Sequence, residues 1–354
     1  MITQIQEATN ARSTIDLAPE RAAKTFASML SGRPVSPRQR ETEFPFDSWK
    51  LLEVCRNCNK IIIGFVGHGQ IKVYNSSDLT CELVLPYYNK PSKVCCFQCT
   101  CTEIIAGYAH GSICAWDVKD GTLKQKTSVQ STGADGFACD MRWQYPKLVL
   151  ATSKKRVQIW QYINASFTLL GSWNTTSPVR GIEFDHNYVI LKELQYHEDP
   201  CTPYFTIGVY RTDGYQEHTI DTMGNTYVRS LFLAYQNERI IAGSDERNIR
   251  IWDVHTGECL WALGGHDFRI TCVRVQRNVI CSADMSNTVI VWDMANVFGT
   301  NKNEQGQGST STLNVLPSSR KLEIPERQHE TLGFGRNFIV GLNDLDRFRV
   351  IEFT

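Results

Sequence analysis

The sequence predicts an all-β chain, a seven-bladed β-propeller with a short N-terminal extension containing one helix. Three observations predict it. An aromatic residue closes a β-branched run at Tyr74 (IKVYN), Trp116 (ICAWD), Trp160 (VQIWQ), Tyr210 (IGVYR), Trp252 (IRIWD) and Trp292 (VIVWD), and a weaker match, RVIEF, carries Ile351 in the aromatic's place. These positions are separated by 42, 44, 50, 42, 40 and 59 residues, so five intervals are ordinary for a propeller and one carries an insertion. Each aromatic is surrounded by other short apolar runs of strand length, bounded by Gly, Asn and Asp.

Those runs give four strands per unit. The first lies 22 to 25 residues before the aromatic, as in VCCFQC, VRGIEF and ITCVRV. The second reads KIIIGF, EIIAGY, KLVLAT, RIIAGS or NVICSA, the third ends on the aromatic, and the fourth follows it, as in CELVLPY and GECLWAL. One position of the first strand is mostly small: Cys96, Cys139, Gly181, Ser230 and Cys272, with Leu51 bulkier. Innermost strands converge at a propeller axis, which accounts for small side chains there without chemistry. The seventh unit stops just after its third strand, so ring closure needs an outer strand from the N-terminal side, near Gln39 to Phe46, because closure removes free edges. This sets an extension over 1–38 and a propeller over 39–354. Within the extension Pro19 can open a helix reaching about Leu30, with Ala22, Phe26 and Met29 on one face. Residues 299–320, rich in Gly, Ser, Asn and Gln, read as a mobile loop.

Composition narrows the function. Among 354 residues, 37 basic side chains balance 37 acidic ones, so no whole-molecule field points to nucleic acid or an anionic membrane as partner. Apolar runs fall short of the roughly 18 residues that span a bilayer, and the N-terminus lacks a signal-peptide pattern. The expected setting is cytoplasmic, with a nuclear site left open. Thirteen cysteines, an odd count in a long chain, read as reduced thiols. Neither the Cys55–Cys58 pair nor the Cys95, Cys96, Cys99 and Cys101 group has the two spaced turn pairs of a zinc site, so no metal and no cofactor are expected. No G-x-S-x-G, P-loop or H-E-x-x-H occurs, which argues against an enzyme.

The repeat resembles that of WD-repeat proteins over roughly residues 40 to 354, most specifically in the stretch from IAGSDERNIRIWD to SADMSNTVIVWD. Only Gly265-His266 matches that family's glycine-histidine turn in phase. The resemblance implies a hydrogen-bonded blade lock built from His266, Ser282 and Trp292. His68 and His110 fall instead at the turn between second and third strands.

Topology puts the start of each first strand and the end of each second strand on one face. The first-strand residues just before the small position are Lys50, Cys95, Ala138, Arg180, Arg229, Thr271 and, approximately, Glu330. Two residues before the aromatic stand Lys72, Cys114, Gln158, Gly208, Arg250, Ile290 and Arg349. V-R-small in the first strand and I-R-I-W-D in the third are similar to the F-box/WD-repeat substrate receptors of SCF ubiquitin ligases. That resemblance implies a phosphate grip made by Arg180, Arg229 and Arg250, with Lys50, Lys72 and Arg349 as a second basic arc. Guanidinium groups on rigid strands suit bidentate bonds to phosphate. The segment Lys192 to Pro203 (KELQYHEDPCTP) is expected as a long loop on the same face. The alternative reading of these side chains is solvated or backbone-bonded arginines.

Two departures from those receptors stand out. No F-box-like segment precedes the propeller, and the W-D pairs continue as WDVK, WDVH and WDMA, unlike the W-D-x-R box that docks other propellers to a cullin adaptor. The expected function is a non-catalytic protein-interaction module that recognises a protein or peptide, phosphorylated or unmodified, with ubiquitin-ligase subunits as associated partners. The alternative is a scaffold subunit of a stable complex with no phosphate specificity.

Overall fold

The computed structural model describes residues 38–43, 50–55, 60–65, 69–85, 93–129, 136–196, 203–222, 231–244, 247–276, 279–286, 288–293, 320–323, 329–334, 338–343 and 347–352. The first strand is β1 (Arg38–Glu43). Blade 1 follows as β2 (Lys50–Cys55), β3 (Lys60–Phe65), β4 (Gln70–Asn75) and β5 (Cys81–Leu85). Blade 2 is β6 (Val94–Cys99), β7 (Glu103–Tyr108), β8 (Ser112–Asp117) and β9 (Leu123–Ser128). Blade 3 is β10 (Ala138–Gln144), β11 (Lys147–Thr152), β12 (Arg156–Ile163) and β13 (Ser166–Asn174). Blade 4 is β14 (Val179–Phe184), β15 (Tyr188–Tyr196), β16 (Pro203–Arg211) and β17 (Gln216–Asp221). Blade 5 is β18 (Leu231–Gln236), β19 (Arg239–Ser244), β20 (Ile249–Asp253) and β21 (Cys259–Leu263). Blade 6 is β22 (Ile270–Gln276), β23 (Val279–Asp284), β24 (Thr288–Asp293) and β25 (Arg320–Glu323). Last come β26 (His329–Phe334), β27 (Phe338–Asn343) and β28 (Arg347–Glu352).

Each blade is a four-stranded antiparallel sheet in sequence order, and β26, β27 and β28 form a further sheet whose outer strand is β1. Arg38 pairs with Glu352 and Glu43 with Arg347 across that closing strand. The innermost strands β2, β6, β10, β14, β18, β22 and β26 neighbour one another in a closed cycle. The expectation of a seven-bladed propeller with a helical extension is corrected in two respects. Six blades, β2 to β25, each take their four strands in chain order, whereas the sheet of β26, β27 and β28 is completed by β1 from a distant part of the chain. No helix occurs among the described residues, and the stretch from Pro19 to Leu30 lies outside them, as does most of the 299–320 segment. The last sheet departs from the repeat because its outer strand is supplied by β1, which pairs with β28, and not by a strand that follows it.

The core lies between adjacent sheets. Second strands are buried on both faces, as in Ile61, Ile62 and Ile63 of β3 or Leu148, Val149 and Leu150 of β11, whereas fourth strands such as β9 are half exposed. Ile62, Val73, Val94, Phe97 and Trp116 join blades 1 and 2. Ile190, Ile207, Leu233 and Trp252 join blades 4 and 5. Burying each such side chain contributes about 1.5–3 kcal/mol. The Asp after the tryptophan organises the next turn: Asp253 Oδ1 accepts the His255 and Thr256 amides, and Gly257, with φ of 71°, closes the turn on the Asp253 carbonyl. No helix among the described residues is long and apolar enough to cross a membrane.

Candidate binding site at the start of the inner strands

The inner strands share a feature that the repeat pattern does not show. In β6, β10, β14, β22 and β26 one residue bulges out of the ladder with the second strand: Cys95, Cys139, Arg180, Thr271 and Glu330. A bulge leaves its extra residue unpaired and re-aims the side chain. Accordingly Val94, Ala138, Val179 and Ile270 before the bulge are buried, whereas Cys95, Cys139 and Thr271 are partly exposed and Arg180 is exposed. This register corrects blade 3. Cys139, rather than Ala138, occupies the outward position, and Asp140 stands where the other blades have Cys96, Gly181 and Cys272.

Arg180 makes no hydrogen bond or ion pair among the described residues and stands at the exposed start of β14. Arg250 is half-buried in β20, opposite Ala242 and Ala262, with its Nε shielded from solvent. Lys72 is half-buried in β4, its Nζ 4.9 Å from the Phe65 ring centroid. Lys50 pairs with Phe65, and Arg349 with Gly341 and Glu41, through the backbone; their side chains lie outside the described residues, as does Arg229 altogether.

The cation that the fold brings beside Arg180 is Lys192, which repeat matching did not single out. The expected loop from Lys192 to Pro203 is corrected: β15 runs through Tyr196, and Tyr196 pairs with Pro203, so only 197–202 separate the strands, and these lie outside the described residues. Two of the charged residues that suggested a loop, Lys192 and Glu193, belong to β15, with Glu193 buried and Lys192 set 4.1 Å from the Phe205 ring centroid. Burial depresses the Lys192 pKa to about 8; Asp140 opposes that shift and Arg180 adds to it. Burial also pushes the Cys139 thiol up, against the influence of Arg180. Deeper along the inner strands, Arg142 Nε bonds Glu183 at 3.0 Å, joining blades 3 and 4. Burial raises the Glu183 carboxyl, while Arg142 and Arg274 act the other way.

Polar links also tie the blades internally. In blade 6 Trp292 Nε1 donates to Ser282 Oγ at 2.9 Å, Ser282 Oγ lies 2.6 Å from His266 Nε2, and His266 Nδ1 lies 2.9 Å from Asp284 Oδ2. If each proton is used once, the relay runs from tryptophan through serine and histidine to aspartate. The Asp-His-Ser order resembles a hydrolytic triad, but Ser282 is fully buried and its oxygen is occupied by the indole, so no substrate reaches it. Blade 3 makes its own version: Gln158 Oε1 accepts the Trp160 indole at 3.0 Å and Gln158 Nε2 donates to the Val129 carbonyl at 3.2 Å. In blade 4 the Tyr210 hydroxyl donates to Glu193 Oε1 at 2.9 Å. These substitutes have different chemistry at different strand positions, so a search for His-Ser-Trp passes over them.

The blade 6 relay falls within a recognised repeat. Residues 214–253 and 257–293 match the WD domain, G-beta repeat. Each matched WD repeat spans the outer strand of one blade and the first three strands of the next, β17–β20 and β21–β24. Cell division control protein 4 of Saccharomyces cerevisiae is 27% identical over 140 residues, 39% of this chain and 15% of that protein. F-box/WD repeat-containing protein 10 of Mus musculus is 43% identical over 51 residues, 14% of this chain and 5% of that protein. Mitochondrial division protein 1 of Aspergillus terreus is 22% identical over 105 residues, 28% of this chain and 16% of that protein. The chain thus spans less than a fifth of the length of these relatives. Among solved structures, a chain of the mitotic checkpoint complex matches with a TM-score of 0.66 at 13% identity, covering 90% of this chain and 94% of that one. The WD40 propeller domain of Doa1 matches at 0.62 and 15%, covering 90% and 97%. At such identities the likeness is one of fold.

Proposed function

We propose that the chain is a non-catalytic protein-interaction module that takes a phosphorylated peptide or protein segment at the end of the ring where Arg180 stands. The observation that carries this reading is Arg180 itself: an exposed guanidinium on the bulge of a rigid inner strand, without an acidic partner among the described residues and beside a second cation. An anion arriving there meets a guanidinium with no acidic partner to displace among the described residues, and beside it the Lys192 ammonium set 4.1 Å from the Phe205 ring centroid. The similarity to an F-box/WD repeat-containing protein and to cell division control protein 4 supports the reading, and extends it to ubiquitin-ligase subunits as associated partners. A phosphopeptide library, applied to the wild-type chain and to Arg180→Ala and Arg229→Ala, tests it. The expected result is phosphate-dependent binding that weakens by about tenfold or more in each variant, since charge-assisted bonds are worth about 1.5–3 kcal/mol. Binding indifferent to both phosphate and the arginines would overturn it.

A second reading, a scaffold without phosphate specificity, has its own support at the opposite end of the blades. There Tyr145, in the β10–β11 turn, and Tyr215, in the β16–β17 turn, are 65% and 64% exposed. On that reading pull-downs return the same partners after the arginine changes.

A further inference from the structure

We propose that Lys192 is the second cation of this anion site, so that one phosphoryl group is held between its ammonium and the Arg180 guanidinium and is preferred over a carboxylate. The inference rests on the phosphopeptide reading above and names the side chain that sets its specificity.

The placement follows from the pairing of β14 with β15. Lys192 is the register partner of Gly181, the residue after Arg180. Gly181 has no side chain, and a Cβ there would come within 3.1 Å of Lys192 Cβ and 3.3 Å of Lys192 Cδ. The lysine stem therefore lies along the glycine backbone, and only a residue this small leaves it that path. The ammonium ends 4.1 Å from the Phe205 ring centroid, which fixes its height above β16. Half-buried packing of the methylenes holds the charged end in place, as is usual for amphipathic side chains at a surface.

Charged groups on two inner strands act on Lys192. From β14 comes Arg180, and from β10 of the neighbouring blade comes Asp140. Asp140 is already engaged, with Oδ1 accepting the Met141 amide and Oδ2 accepting the Ile182 amide at 2.9 Å. β16 presents the Phe205 ring, and β18 contributes Leu233 to the apolar cluster of Ile190 and Ile207. Two cations side by side, one of them reluctant to hold its proton, are matched best by two negative charges on one group. A phosphoryl group supplies two at neutral pH and a carboxylate supplies one. The dianion in turn favours the protonated amine. Because Lys192 titrates at about 8 in the free protein, affinity is level from neutral pH, where the phosphoryl group is already dianionic, up to about 8 and falls above it, as ligand binding must then also take up a proton.

The test uses a library-selected phosphopeptide and its counterpart with glutamate at the phosphorylated position. Both are titrated between about pH 6.5 and 9.5 into the wild-type chain, Arg180→Ala, Lys192→Met and Lys192→Arg. Thermal unfolding of each variant checks that it is folded. Lys192→Met should weaken the phosphopeptide about tenfold, barely change the glutamate peptide and abolish the decline above pH 8. Lys192→Arg should bind and show no such decline. Phosphopeptide binding that needs Arg180 but is unchanged in strength and pH profile by Lys192→Met overturns the role of Lys192 and leaves the interaction reading standing. Peptides that bind without regard to phosphate or Arg180 overturn both. If Lys192→Met unfolds, competitive acetylation of the wild-type chain decides: the phosphopeptide should protect Lys192, and unchanged labelling overturns the inference.

Discussion

Glu193 and Lys192 are consecutive on β15 and face opposite sides of it, which separates a structural carboxylate from a binding ammonium. Glu193 turns inward to Tyr210, and its carboxyl is pushed up by burial, a shift that the tyrosine bond only partly offsets. An acid whose folded pKa is raised contributes least when ionised, so stability falls as pH rises from the unfolded value through the folded one. Glu193→Gln keeps an acceptor for the Tyr210 hydroxyl and removes the charge. It should melt about 2–4 °C above wild type near neutral pH, with the gap closing toward pH 4.5; scanning calorimetry across that range checks this. A gap that is independent of pH would mean that Glu193 is not the titrating group. Arg180 was legible in the sequence because V-R-G sits in phase with V-R-S one repeat later. Lys192 was not, because K-E-L-Q-Y-H-E-D-P has the composition of a loop, and only the pairing partners show that β15 continues to Tyr196.

At the scale of the strand, the apolar runs located nearly every element, since strands buried on both faces leave unbroken stretches such as KIIIGF and KLVLAT. Bulges escaped because an extra residue leaves composition unchanged while shifting every later side chain by one place. Matching Cys139 to Cys96 by size therefore hid Asp140, the carboxylate that ties β10 to the Ile182 amide of β14. Internal ties escaped for a related reason: blade 3 does with one glutamine what blade 6 does with histidine and serine. Gln158→Leu keeps the volume but removes both the acceptor for Trp160 and the donor to Val129, leaving an indole N–H and a carbonyl without partners. The expected cost is about 1–3 kcal/mol, read as a lower urea midpoint with the slope unchanged. A midpoint equal to wild type would show that the glutamine is not a tie.

For the whole molecule, a ring of sheets fixes the beginnings of all its inner strands at one end, so side chains from distant parts of the chain share a face without any loop having to order them. The face with Arg180 and Lys192 and the opposite face with Tyr145 and Tyr215 are the two ends of the same blades. Length, repeat period and charge balance pointed to that architecture and to a binding role, but they are silent on which end binds, because both ends are made of turns with similar composition. Hydrogen exchange of the wild-type chain, with and without a selected phosphopeptide, separates the two ends. Exchange is expected to slow in residues 137–142, 179–184 and 188–196, with the turns at Tyr145 and Tyr215 unchanged. Slowing confined to those turns, with the Arg180 end unaffected, would contradict it.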